Sequence, residues 1–229
     1  MGMNNIEKVF SYQPEKFQEE FARAKEAFDK HGIKNTIAVF GSARAKPEDK
    51  LSKKYYEATY ELSKRLALWS KEKYKDNKEE KLYICTGGGG GIMGAANRGA
   101  HDAGEINLGC TILLPKESKP NPYITEGLSI PFDYFFIRKF WLINLAEAFV
   151  IFPGGFGTFD ELFEILTLAQ THKMHKTVPF VLFGKKFFEK FLNIKLLEEH
   201  GYISDKDKNL FILTDSIDEA FNHITSAFE

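Results

Sequence analysis

Short apolar runs of strand length alternate with amphipathic stretches along this chain, and the alternation restricts the fold more than any other feature. Residues 36–40, 82–86, 109–115, 133–137, 148–152, 178–183 and 209–214 read as successive strands. Residues 4–31, 48–74, 138–147 and 185–199, the stretch after the glycines at 154–157, and the segment from Ile217 read as helices. In the first of these, Phe17, Phe21, Ala24 and Phe28 recur three and four positions apart, the spacing of a helix with one buried face. Continuously apolar strands need cover on both faces. The pattern therefore predicts an α/β fold, a doubly wound parallel sheet of about six or seven strands flanked by helices. Residues 1–34 read as an N-terminal helical extension and 35–229 as a single domain.

In such a sheet the loops leaving the carboxyl ends of the strands line one edge, and ligands bind there. Four segments meet that description: Gly41-Ser42-Ala43-Arg44, the glycine run at 87–91, Arg138-Lys139, and PGGFGT at 153–158. In the last, Gly154, Gly155 and Gly157 stand between an apolar run and a helical pattern. A glycine loop that opens a helix lets an anion reach unpaired N–H groups and the positive end of the helix dipole, and phosphate is the guest this predicts. The alternative is a tight turn with no ligand. Residues 89–94 also fit G-x-G-x-x-G after a strand. A run of five glycines fits many patterns, however, and the acidic partner of a dinucleotide site falls only on Glu117, beyond Pro115. Neither loop carries the Gly-Lys-Ser/Thr of a P-loop.

Thr158-Phe159-Asp160-Glu161 admits two readings. As S/T-x-x-E it is a capping box, with Thr158 capping the helix and Glu161 reaching back. Turned to the crevice, Glu161 is a functional carboxylate beside a phosphate whose charge Arg138 and Lys139 offset. Arg44, Arg98 and Arg138 all fall in or near these segments, and the planar fork of Arg suits phosphate. His172 and His175 stand three apart with no further ligands in evidence, so no metal is expected. The 229 residues carry a net charge of -1, which gives no global attraction to nucleic acid or membrane. Cys85 and Cys110 lie in apolar runs and read as buried thiols of a reducing compartment. No apolar stretch reaches spanning length and the first residues lack a signal-peptide core, so a cytoplasmic protein is expected.

PGGFGTFDE resembles the P-G-G-x-G-T-x-x-E signature of the Lonely Guy family, the cytokinin riboside 5′-monophosphate phosphoribohydrolases, long mislabelled as lysine decarboxylases. TGGGGGIMGAANRGA, FFIRK and the Q-T-H-K stretch after the signature are similar to the longer bacterial branch of that family. The resemblance implies a Rossmann-like fold, a homodimer or larger homo-oligomer, and no cofactor. It implies hydrolysis of the N-glycosidic bond of AMP-like nucleoside 5′-monophosphates, cytokinin nucleotides as a candidate, to free base and ribose 5-phosphate. By the same resemblance Arg138 and Glu161 are the catalytic pair. Gly154, Gly155, Gly157 and Thr158 form the phosphate loop, with Lys139 after the catalytic Arg. Gly41, Ser42, Gly88, Gly89 and Met93 line the nucleotide site. The chain departs from the family pattern in two places. Phe135-Phe136 replace the Met-His of short plant-type members, and Gly94 stands where longer members often have Glu. A second class of function stays open, a non-catalytic nucleotide- or cofactor-binding carrier on the same fold. Pyridoxal phosphate-dependent decarboxylation has little support, since no lysine is singled out for a Schiff base.

Overall fold

In the computed structural model, which describes residues 13–112, 119–174 and 178–229, seven strands form one parallel sheet. They are β1 (Asn35–Phe40), β2 (Leu82–Thr86), β3 (Asn107–Ile112), β4 (Ser129–Phe132), β5 (Ala146–Ile151), β6 (Phe180–Phe183) and β7 (Ile212–Thr214). Their order is β4-β3-β2-β1-β5-β6-β7. The helices among the described residues are α1 (Pro14–His31), α2 (Lys53–Lys73), α3 (Gly91–Asp102), α4 (Phe135–Asn144), α5 (Phe156–Gln170), α6 (Lys185–Phe191), α7 (Ile194–Glu199) and α8 (Ile217–Ser226). This is the doubly wound α/β fold that the apolar alternation predicts.

Both faces of the central strands are apolar, so helices cover both. Ile37, Val39, Ala148, Val150 and Val181 face α2, α3 and α8, while Ala38, Phe40, Phe149 and Leu182 face α1, α4, α5 and α6. Removing this much apolar surface from water is the main drive for the layered arrangement. Strand β1 pairs on one side with β2 (Ala38 opposite Cys85) and on the other with β5 (Ala38 opposite Phe149). The chain winds outward from β1 to β4, crosses back to β5, and winds outward again to β7. At the two edges, β4 contains Pro131 and β7 is three residues long.

Two expectations need correction. Residues 133–137 do not form a strand: α4 begins at Phe135, and the strand before it is β4. The aromatic run looks strand-like, but α4 divides it between faces, burying Ile137, Trp141 and Leu142 and leaving Phe135, Phe136 and Phe140 exposed. Residues 185–199 form two short helices, not one. Asn193 accepts the Leu196 N–H at 3.1 Å and so starts α7 afresh. The first part of the 4–31 helix, the end of the 109–115 strand, Glu117 and His175 lie outside the described residues.

Helices α2 and α3 cross closely because Gly99 has no side chain. A Cβ there would lie 2.4 Å from Tyr60 O and 2.9 Å from Lys64 N. Gly99→Ala is therefore expected to lower stability by about 1–3 kcal/mol, the usual cost of overpacking. The measurement is a urea melt, with a reduced midpoint at unchanged slope. An unchanged midpoint would show that the crossing has room to spare.

Candidate active site

The loop after β5 leads into α5 through Pro153, Gly154 and Gly155, and Gly155 is the N-cap. Packing within the protein explains only one of the three glycines there. A Cβ on Gly154 would fall 2.1 Å from Thr158 Oγ1, whereas at Gly155 and Gly157 nothing lies within 4 Å. No side chain caps this helix, so its first-turn N–H groups keep their capacity to bind an acceptor. The glycine run after β2 is packed differently. Gly88 (φ +74°) lies against Thr111, and Gly91 (φ +60°) lies against the backbone of Ser42 and Ala43. The Ile92 N–H donates to Ser42 O at 3.0 Å, so a carbonyl of the protein itself closes that helix end. Of the two loops, the one after β5 leaves its helix start the more open to an acceptor.

The strand-end loops converge beside β1. The Ser42 N–H donates to Pro153 O at 3.0 Å, joining the β1 loop to the β5 loop. Gly41 makes room for Ile92, whose Cγ2 would be 2.6 Å from a Cβ at 41. The Met93 side chain lies over Gly87 and Gly89, 2.9 and 2.7 Å from where their Cβ atoms would be, and Arg138 Nη1 is 3.9 Å from the same point on Gly87. A buried amide network, which the sequence reading missed, fixes the β2 loop. The Gly88 N–H donates to Thr86 Oγ1 at 2.9 Å, and the Thr86 hydroxyl donates to Asn97 Oδ1 at 2.7 Å. Asn121 Nδ2 lies 3.1 Å from Gly88 O, 3.0 Å from Gly89 O and 2.9 Å from Asn97 Oδ1. Asn97 in turn donates to Asn107 Oδ1 at 2.8 Å. Asparagine in an otherwise apolar helix face was the one sequence signal available, since a buried amide needs partners.

Arg138 and Glu161 meet at the centre of this edge. Arg138 Nη2 donates to Glu161 Oε1 at 2.7 Å, and the residues are 8% and 6% exposed. The capping box does not form: Thr158 is the third residue of α5, and Glu161 turns to Arg138. Burial pushes the Glu161 carboxyl up to about 7, against the attraction of Arg138 and with help from the charge of Asp160. Desolvation outweighs the guanidinium here, within the usual range of both effects. A carboxylate poised near neutrality is suited to proton transfer or charge stabilisation. Lys139 bridges Asp160 at 3.0 Å and Glu164 at 2.8 Å and so ties α4 to α5, and its charge also acts on Glu161, opposing the rise of that carboxyl. Arg98 does not join the site. It stacks near Tyr60 and Tyr123 with Asp102 3.6 Å away. A cavity of about 900 Å³ lined by Tyr55, Tyr60, Arg98 and Asp215 contains neither Arg138 nor Glu161. Among the described residues no group of three or more His, Cys, Asp or Glu side chains is placed to hold a metal, and no helix is long and apolar enough to cross a membrane.

A family model described as possible lysine decarboxylase matches residues 93–224. A probable cytokinin riboside 5′-monophosphate phosphoribohydrolase of Oryza sativa subsp. japonica is 34% identical over 154 residues, 65% of this chain and 65% of that protein. A cytokinin riboside 5′-monophosphate phosphoribohydrolase of the same plant is 30% identical over 162 residues, 69% of this chain and 61% of that protein. The chain thus spans a little under two thirds of the length of these curated relatives. Among solved structures, the molybdenum cofactor binding protein from the phototrophic bacterium Rippkaea orientalis is similar in fold. Its TM-score is 0.52 at 20% identity, covering 86% of this chain and 98% of the other.

The raised Glu161 carboxyl has a consequence for stability. Its folded value, about 7, lies above its ordinary 4.5. Between those values the folded state binds the proton more tightly than the unfolded state. This contribution is therefore full below the ordinary value and is lost as pH rises through about 7, by up to about 3 kcal/mol. Glu161→Gln cannot titrate. The thermal midpoint of Glu161→Gln relative to wild type should thus improve from about pH 5 to about pH 8. A constant difference across that window would show that Glu161 is not desolvated in this way.

Proposed function

The chain belongs to the family described as possible lysine decarboxylase, the Lonely Guy family, and on that premise we propose that it hydrolyses the N-glycosidic bond of AMP-like nucleoside 5′-monophosphates. The observation that carries this reading is the buried Arg138–Glu161 pair at the sheet edge where an uncapped, glycine-opened helix also ends. The amides of Gly155, Gly157 and Thr158, with the Thr158 hydroxyl, hold the 5′-phosphate at the positive end of α5. Two relatives are named as cytokinin riboside 5′-monophosphate phosphoribohydrolases, one of them as probable, which supports the assignment. Cytokinin nucleotides are the candidate variant of that substrate class. Gly41, Ser42, Gly88, Gly89 and Met93 form the wall against ribose and base.

In the proposed reaction the bond from C1′ to the base nitrogen breaks with its electron pair on the base. Positive charge builds on the ribose, as in other glycosyl transfers. Ionised Glu161 stabilises that charge and takes a proton from the attacking water, whose oxygen bonds to C1′. The proton then passes to the departing base. Arg138 holds the carboxylate in place and favours its ionised form. Anchoring the phosphate, remote from the reacting bond, fixes the ribose in an attack geometry. Lys139 contributes by clamping α4 to α5 through Asp160 and Glu164. We further propose a homo-oligomer that buries exposed Phe136, Phe140, Phe163 and Phe191 on α4, α5 and α6, since apolar patches of this kind mark contact surfaces. Buried, unpaired Cys85 and Cys110 fit a cytoplasmic setting.

Incubation with AMP followed by chromatography should yield adenine. Ribose 5-phosphate should inhibit, and adenosine should be a poor substrate. Glu161→Gln should lower turnover on the order of a hundredfold or more while nucleotide binding survives. The value of kcat/KM should fall as pH drops below about 7, where Glu161 gains its proton. Tight AMP binding without adenine release would favour the carrier reading, and equal turnover of adenosine and AMP would remove the role given to the α5 loop. Sedimentation velocity reads the assembly, with a monomer at all concentrations counting against the homo-oligomer.

A further inference from the structure

Helix α4 carries Arg138 but contains no means of capping itself. Its N-cap is Tyr134, no side chain of its own satisfies the first turn, and no acidic residue lies there. The acceptor comes from α1. Glu20, only 4% exposed, accepts the N–H of Asp133, just before the N-cap, through Oε1 at 2.9 Å, while its Oε2 is buried without a hydrogen-bond partner. Burial raises the carboxyl above its ordinary value, and the Asp133 and Tyr134 amides that face it oppose that rise. An acceptor at that end fixes the backbone that enters the helix, next to donors with no partner inside it.

Further contacts seat α1 at the same place. Arg23 donates to Pro131 O at the end of β4. Phe17 meets Tyr134 edge-on with centroids 4.4 Å apart, and Phe21 packs on Trp141 at 4.7 Å. Arg138 sits one turn into α4, and its own N–H closes onto Tyr134 O at 3.2 Å. Fraying of the first turn would therefore release the backbone of Arg138 as well.

We propose that Glu20 is a positioning residue: by capping α4 from another helix, it fixes the direction in which Arg138 meets Glu161. The catalytic consequence rests on the hydrolase reading above; the capping itself does not. The family match at residues 93–224 contains α4 and α5 but not α1.

The test uses Glu20→Ala and Glu20→Gln in the full-length chain. Gln keeps the acceptor oxygen, whereas Ala removes it. In Glu20→Ala, amide hydrogen exchange over residues 133–138 should accelerate by about tenfold, the size a lost cap implies. Exchange over residues 159–163 of α5 should not change, and Glu20→Gln should restore most of the protection. With AMP as substrate, the acid limb of kcat/KM should move upward in Glu20→Ala, because Arg138 would no longer hold the Glu161 carboxyl down as strongly. Unchanged exchange at the start of α4, or a lower melting point with an unmoved acid limb, would overturn the proposal and leave Glu20 as ordinary packing. If the wild type fails to cleave AMP, the hydrolase reading fails, and the exchange experiment still decides whether Glu20 caps α4.

Discussion

Strand β1 pairs with β2 and β5, and the chain winds away from it in opposite directions on its two sides. Helices following β1 and β2 therefore lie on one face, and those following β4 and β5 on the other. Where the winding reverses, adjacent loops part and leave a crevice at the carboxyl edge. Residues as distant in sequence as Ser42 and Pro153 are hydrogen-bonded there. The glycines follow from the same constraint. Where loops crowd together, as at Gly41 and Gly91, a side chain would collide with a neighbour; at Gly155 and Gly157 it would meet no atom of the protein.

The Arg138–Glu161 pair is a costly arrangement. Taking both groups out of water is opposed by several kcal/mol per ion, and one short hydrogen bond offsets only part of it. The upward displacement of the Glu161 carboxyl records that imbalance. A capping box at the start of a surface helix would have carried no such cost. The fold accepts this electrostatic cost at the point where loops, helix terminus and carboxylate coincide.

Much of this was legible in the sequence. Strand positions followed from apolar runs, because a strand covered on both faces has few other ways to be written. Strand β4 was not legible: SIPF is short, contains a proline and leaves Ser129 and Pro131 only half buried. The run at 133–137 misled because five residues cannot distinguish a strand from the first turn of a helix when aromatics occupy both faces. Thr158 and Glu161 satisfied a local motif whose register was wrong by three positions, since Gly155 is the N-cap. The partner that decides the orientation of Glu161 lies 23 residues upstream, beyond the reach of any local pattern. Glu20 was illegible for the same reason. On a helix rich in charge it looks like one more solvated carboxylate, and its burial exists only once α1 docks against β4 and α4.

The form of the two outermost strands limits what can be added at the borders of the sheet. An incoming strand at β4 would encounter Pro131, which has no N–H to offer. At β7 it would find a ladder of three residues, Ile212–Thr214. Short or proline-bearing borders are a common defence against edge-to-edge growth of sheets. Both borders of the seven-stranded sheet thus resist ribbon-like polymerisation.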